Sequence, residues 1–231
     1  MTPVADEDDG VRVREIVALL LGAQGDLRAA IHGGPAYPGR RFFSSPRADM
    51  RDGMRREVYG GRVVDLGIER VTLPSGVEVD LEIIRHKGAS AVVALDEAGR
   101  VVLIRQFRHA AGGFIWELPA GVLDRPGEAP EACAARELRE ETGLHASALT
   151  HLGTILTTPG FTDERIHLFL ARDLTQQDTA RDHDEVIAEV ARVPLGEALA
   201  MVRRGDIVDA KTICGLHLAA SLAGVTPRRS G

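Results

Sequence analysis

One stretch limits what this chain can fold into more than any other. It reads Gly121-Val122-Leu123-Asp124-Arg125-Pro126-Gly127-Glu128, then seven residues, then Arg136-Glu137-Leu138-Arg139-Glu140-Glu141-Thr142-Gly143-Leu144. Ala132, Ala135 and Leu138 recur at helical spacing, Pro130 stands at the start and Gly143 follows the last turn. The spacing therefore predicts a helix over residues 130 to 142. Positions three or four apart share a helix face, so Glu137, Glu140 and Glu141 converge. Like charges gathered on one patch repel, and water does little to justify them. A hard divalent cation does, since magnesium takes carboxylate oxygens at about 2.0–2.1 Å and keeps room for water and phosphate oxygens. Arg136, four residues before Glu140, can pair with it and hold the cluster in place.

The flanking sequence reads as strands first and helices last. Val58 to Val64, Ile68 to Leu73 and Val77 to Arg85 alternate or run apolar, with a turn at Leu73-Pro74-Ser75-Gly76-Val77. Ala89 to Leu95 and Val101 to Gln106 are two more strands, joined through Asp96 to Arg100, and a loop and short strand follow around Trp116-Glu117-Leu118. After the helix come strands at Leu149 to Leu156 and Ile166 to Ala171, a polar loop to about Glu185, and a strand over Ile187 to Val193. Pro194 opens a final helical region, Leu195 to Arg204 and Ala210 to Ala223. The expected class is α+β, an α/β/α sandwich with a mixed sheet, flanking helices and no internal repeats. Residues 1 to 55 stand apart as an N-terminal extension without an assigned role: an amphipathic stretch from Val11 to Ile31, then a Gly/Pro/Arg-rich connector from Gly33 to Gly53.

Composition closes off other classes. Net charge is −6 and the 28 Lys and Arg are scattered, so nucleic-acid binding is disfavoured, because a phosphate backbone needs a concentrated basic surface. No apolar run approaches the roughly 20 residues that span a bilayer. The apolar stretch Ile16 to Leu21 follows Asp6-Glu7-Asp8-Asp9, where a secretory signal would be positive. Cys133 and Cys214 form no CxxC pattern, and the cytoplasm is the expected compartment.

The segment resembles the Nudix box, a loop–helix–loop module that hydrolyses a nucleoside diphosphate linked to another group. Arg136 to Leu144 match the REUxEExGU half in full, U being a bulky aliphatic residue. The loop half differs: six residues separate Gly121 from Glu128 where the family usually has five. Across roughly residues 56 to 220 the chain is similar to the ADP-ribose pyrophosphatase branch. Gln106-Phe107-Arg108 and Trp116-Glu117-Leu118-Pro119-Ala120-Gly121 look like that branch's approach to the box, and Pro159, sixteen residues after Gly143, matches its marker proline. Pro159-Gly160-Phe161-Thr162-Asp163-Glu164 is similar to the loop after the box. The cysteine set of NADH pyrophosphatases and the tyrosine of dinucleoside polyphosphate hydrolases are missing.

The resemblance implies a Nudix fold, with N-terminal antiparallel strands over 56–88 serving dimerisation and substrate, and a hydrolase domain over 89–225. It implies Mg2+, or Mn2+, on Glu137, Glu141, Glu185 and the backbone carbonyl of Ala120, with Glu140 a ligand or a catalytic neighbour of one. Glu128 either joins that site or caps the helix. In the loop Asp182-His183-Asp184-Glu185, either Glu185 is both metal ligand and general base, or His183 replaces the base. Arg108 would hold a substrate phosphate with its planar fork. Glu164 would accept a ribose hydroxyl, Val122 would line the substrate, and Glu82 would reach the nucleoside from a partner subunit. Leu81 stands where some relatives carry an Arg, and Trp116 packs in the core rather than against a base. The expected activity is hydrolysis of ADP-ribose or a related nucleoside diphosphate sugar to AMP plus sugar phosphate, by a homodimer. GDP-mannose or another nucleotide sugar is the alternative substrate. A catalytically silent nucleotide sensor is the alternative class, and the intact glutamate set argues against it.

Overall fold

The computed structural model describes residues 55–176 and 186–222, so the amphipathic stretch from Val11 to Ile31 lies outside the described residues. Three strands come first: β1 (Arg55–Gly60), β2 (Asp65–Thr72) and β3 (Glu78–Arg85) form an antiparallel sheet in that order. The strand expected over 58–64 stops at Gly60, because Gly61 N–H donates to the Val64 carbonyl at 2.8 Å and turns the chain. Gly76 closes the next turn. Its N–H donates to the Leu73 carbonyl at 2.8 Å, and its φ of +85° suits a residue without Cβ.

The centre of the domain is β4 (Ala89–Ala94), buried along its whole length. It pairs in parallel with β9 (Arg165–Gln176) and antiparallel with β7 (Ala120–Val122), while β8 (Leu144–Leu156) pairs antiparallel with β9. The sheet order is β7-β4-β9-β8, and a second sheet runs β10-β5-β6 from β10 (Ile187–Pro194), β5 (Arg100–Arg108) and β6 (Gly113–Glu117). A continuously apolar strand is what burial on two faces requires. On one face Val93 and Leu95 pack with Val101, Leu103 and Leu118 against α2 (Leu195–Arg204) and α3 (Ala210–Leu222). On the other, Val92 and Ala94 pack with Ala134 and Leu138 of α1 (Pro130–Thr142) and with Phe169. Helices thus cover both faces of a mixed sheet, the layering expected. Truncating fully buried Leu138 to Ala removes contacts on one of these faces and costs about 2–5 kcal/mol.

Two elements differ from expectation. Residues 120–122, read as loop, form β7, because Ala89, Ser90 and Ala91 of β4 offer them a backbone edge. β8 begins at Leu144 rather than Leu149, since pairing runs on to Leu144 opposite Gln176. No helix among the described residues is long and apolar enough to cross a membrane.

Candidate active site

Helix α1 carries the site, and its ends are set by sequence. Pro130 occupies the first turn, where its missing N–H costs nothing, and Ala129 supplies no side-chain cap. Gly143, at φ +71°, returns its N–H to the Arg139 carbonyl at 2.9 Å. With Ala134 and Leu138 turned into the core, Arg136, Glu137, Glu140 and Glu141 lie toward β7 and the loop that leaves it.

Arg136 organises this side. Its Nε and Nη2 donate to the two oxygens of Glu128 at 2.8 and 2.9 Å, a bidentate pair. Nη1 donates to Glu140 Oε2 at 3.0 Å and also to Glu137 Oε1. The hydrogen bonds to Glu128, then those to Glu140 and Glu137, hold the guanidinium charged well above its ordinary range. The same pairing with Arg136 pulls Glu128 below the usual carboxylate range. Glu128 therefore spends both oxygens on Arg136 rather than on capping α1. The expected i,i+4 pairing of Arg136 with Glu140 is present. Burial pushes the neighbouring Cys133 thiol up to about 11, leaving it a small apolar residue.

Glu137 and Glu141 are buried carboxylates, 8% and 1% exposed, that bracket one peptide. Ala120 N–H donates to Glu141 Oε2 at 3.0 Å. The Glu137 carboxylate lies against Gly121 so closely that a Cβ there would sit 2.0 Å from Oε1. Only glycine admits it. Glu140 is less deep: besides Arg136 it receives Arg125 Nη2 on Oε1 at 3.0 Å.

Two carboxylates against the Ala120–Gly121 backbone form a set of hard oxygens, and a divalent cation such as Mg2+ fits that chemistry. Among the described residues no three His, Cys, Asp or Glu side chains converge as a ligand set. Of the donors inferred from the sequence, Ala120 gives only a backbone oxygen, and Glu185, like His183, lies outside the described residues. Glu140 is turned to Arg136 and Arg125.

Arg108, at the end of β5, is engaged with Glu117 of β6. Nη2 donates to Oε2 at 2.7 Å and Nε lies 3.1 and 3.2 Å from the two oxygens. Lys211 of α3 reaches the same carboxylate, Nζ to Oε2 at 3.2 Å, and also Asp209 at 3.1 Å. Asp209 holds the Thr212 hydroxyl at 2.6 Å, and that hydroxyl accepts the Leu118 N–H at 2.8 Å. Sequence reasoning placed Glu117 in a strand and missed its role as a nearly buried anion between two cations. An acid in an otherwise apolar run leading to Ala120 was the available signal.

Val122 is exposed at the end of β7, its carbonyl 3.4 Å from Arg136 Nη2. Glu164 sits just before β9, where Thr157 Oγ1 donates to its Oε2 at 2.8 Å and His86 Nδ1 lies 3.6 Å from Oε1. Glu82 stands exposed on β3 opposite Ile68. The structure brings Glu137 and Glu141 to Ala120 and Gly121, with Val122 beside Arg136. Glu140 does not converge with them as the helix spacing predicts but turns to Arg136 and Arg125. Arg108 stands with Glu117, and Glu164 is tied to the end of β3. Trp116 is partly buried and packs on the core beneath α2 and α3.

The NUDIX domain family model matches residues 84–215. An ADP-ribose pyrophosphatase of Bacillus subtilis (strain 168) is 42% identical over 159 residues, 68% of this chain and 85% of the relative. A GDP-mannose pyrophosphatase of Cronobacter sakazakii is 37% identical over 150 residues, 58% of this chain and 78% of the relative. The crystal structure of an ADP compounds hydrolase superimposes with a TM-score of 0.64 at 23% identity, over 75% of this chain and 97% of the other.

Proposed function

The chain belongs to the NUDIX family as a Nudix hydrolase, and from that membership we propose that it cleaves the diphosphate of ADP-ribose, giving AMP and ribose 5-phosphate. The observation that carries this reading is the bracketing of the Ala120–Gly121 peptide by two buried carboxylates beside Arg136. A buried carboxylate is costly unless a cation or hydrogen-bond donors offset its lost hydration, and a divalent ion would do so for this pair. We assign Glu137, Glu141 and the Ala120 carbonyl to holding Mg2+, with Mn2+ as a substitute. When bound, such an ion supplies neutralisation of the diphosphate and a more acidic water.

The chain's own residues do the rest. Arg136 keeps Glu137 and Glu140 in place and prevents their mutual repulsion from splaying the helix face. Arg108, whose Nε and Nη2 are oriented by Glu117, meets a substrate phosphate through its guanidinium charge. Glu164 accepts a ribose hydroxyl, and Val122 lines the bound substrate. In the reaction, water oxygen adds to one phosphorus, the bridging P–O bond breaks, and the proton of the water passes to Glu185 or, in its place, His183. We further assign a homodimer built through the β1–β3 sheet, whose Val58, Tyr59 and Leu81 are exposed and whose Glu82 would face the partner's nucleoside. The cytoplasm is the matching compartment, because Cys133 and Cys214 are both free thiols.

GDP-mannose is the second reading, supported by the Cronobacter sakazakii relative and by Leu81 in place of arginine before Glu82. A panel of nucleotide sugars with Mg2+, followed by quantification of AMP, GMP and UMP, decides between them. AMP from ADP-ribose alone supports the proposal. GMP from GDP-mannose as the main product replaces it with the second reading.

A further inference from the structure

The loop between β8 and β9 is stitched to the last residues of β3. Thr162 bridges Ile84 in parallel, Ile84 N–H donates to the Phe161 carbonyl at 2.8 Å, and Asp163 N–H donates to the Ile84 carbonyl at 3.3 Å. Asp163 then uses both carboxylate oxygens on the same strand end. Oδ1 accepts the His86 N–H at 2.8 Å and Oδ2 accepts Arg85 Nη1 at 3.1 Å.

Arg85 does not stop there. Its Nε donates to Glu69 Oε1 on β2 at 2.8 Å, Arg55 Nε of β1 lies 3.3 Å from that oxygen, and Arg55 Nη2 pairs with Asp65 at 2.6 Å. Alternating charges thus run from Asp163 through Arg85, Glu69 and Arg55 to Asp65, crossing all three strands of the sheet. The chain leaves β3 through Gly88 at φ +92°, where a Cβ would meet the Arg165 carbonyl and Leu123 Cδ1, each at 3.3 Å. A single exposed ion pair contributes little by itself. Asp163 adds a charge-assisted bond to a backbone N–H and a backbone bridge beside it, which fixes geometry.

We propose that Asp163 is a positioning residue: it locks loop 158–164 to β3, so that the seating of the three-stranded sheet sets where the adjacent Glu164 stands. This rests on the reading above, in which Glu164 meets the ribose.

The test uses the full chain with Asp163→Ala, Asp163→Asn and, as control, Asp80→Asn, which breaks the exposed Arg70–Asp80 pair at 2.8 Å on the same sheet. Two quantities are measured: KM and kcat for ADP-ribose with Mg2+, and amide hydrogen exchange in segments 78–86 and 158–164. Asp163→Ala is expected to raise KM about tenfold with kcat within about threefold, the loss of one charge-assisted contact. Exchange speeds up in both segments together. Asp163→Asn, which keeps an acceptor for His86 N–H, falls between alanine and wild type, and Asp80→Asn matches wild type. Unchanged KM, or faster exchange in 158–164 with β3 as protected as before, overturns the proposal. If the wild-type chain leaves ADP-ribose intact, the functional reading fails instead, and the joint exchange response alone decides whether the clamp exists.

Discussion

Glu141 and Ala120 are joined by a hydrogen bond from the Ala120 N–H to Glu141 Oε2 at 3.0 Å, across a carboxylate that is 1% exposed. The bond ties the last turn of α1 to the start of β7. Helix and strand therefore keep their spacing before any ligand arrives, the preorganisation that charge-stabilising sites depend on.

Gly121 is the counterpart on the Glu137 side. Gly121→Ala places a methyl 2.0 Å from Glu137 Oε1, and the carboxylate must swing away. Gly121 is not at positive φ, so the added methyl brings no backbone strain and its cost falls on the Glu137 carboxylate. Divalent-ion affinity, read by calorimetry with Mn2+, should fall by at least about tenfold, the scale seen when groups that orient a metal site are disturbed.

Arg136→Ala removes the shared partner of Glu128, Glu137 and Glu140 and leaves buried acids facing one another. Breaking a buried pair in this way costs about 3–5 kcal/mol. Urea unfolding of the metal-free protein should show that loss. Arg136→Lys should recover only part of it, because an ammonium cannot make the bidentate contact to Glu128.

Glu128 gives the pH dependence a sign. Its pairing with Arg136 depresses its folded pKa below the ordinary 4.5. The stability it contributes is thus present above pH 4.5 and lost as pH falls through the lower folded value. Compared by urea unfolding from about pH 7 to pH 3, wild type should exceed Glu128→Gln at the upper end, and the gap should close as acid is added. A gap that widens in acid contradicts the assignment.

Arg108→Ala separates binding from folding. Glu117 keeps Lys211 at 3.2 Å, so the carboxylate is not stranded and Tm should move little. KM for ADP-ribose should rise by roughly 10- to 100-fold, the range expected for one charge-assisted contact to phosphate.

What could be seen in the sequence divides along the distance between interacting residues. α1 was legible to its ends because Pro130 and Gly143 act locally, and Arg136 with Glu140 because they are one turn apart. The Glu128–Arg136 pair joins a residue just ahead of α1 to one eight positions on inside it, and Glu117–Lys211 joins residues 94 positions apart, so neither leaves a periodic trace. β7 escaped notice because three residues carry no pattern of their own; β4 makes them a strand. The clamp at Asp163 depends on β3 and a loop 77 residues away. Glu185 and His183 fall outside the described residues.

Hydrolysis of ADP-ribose by the purified chain, followed by phosphorus NMR with and without a chelator, is the most direct test. With Mg2+ present the two diphosphate signals should give way to those of AMP and ribose 5-phosphate, and chelation should stop the change. Undiminished hydrolysis after every divalent ion has been stripped would show that Glu137 and Glu141 serve some other purpose.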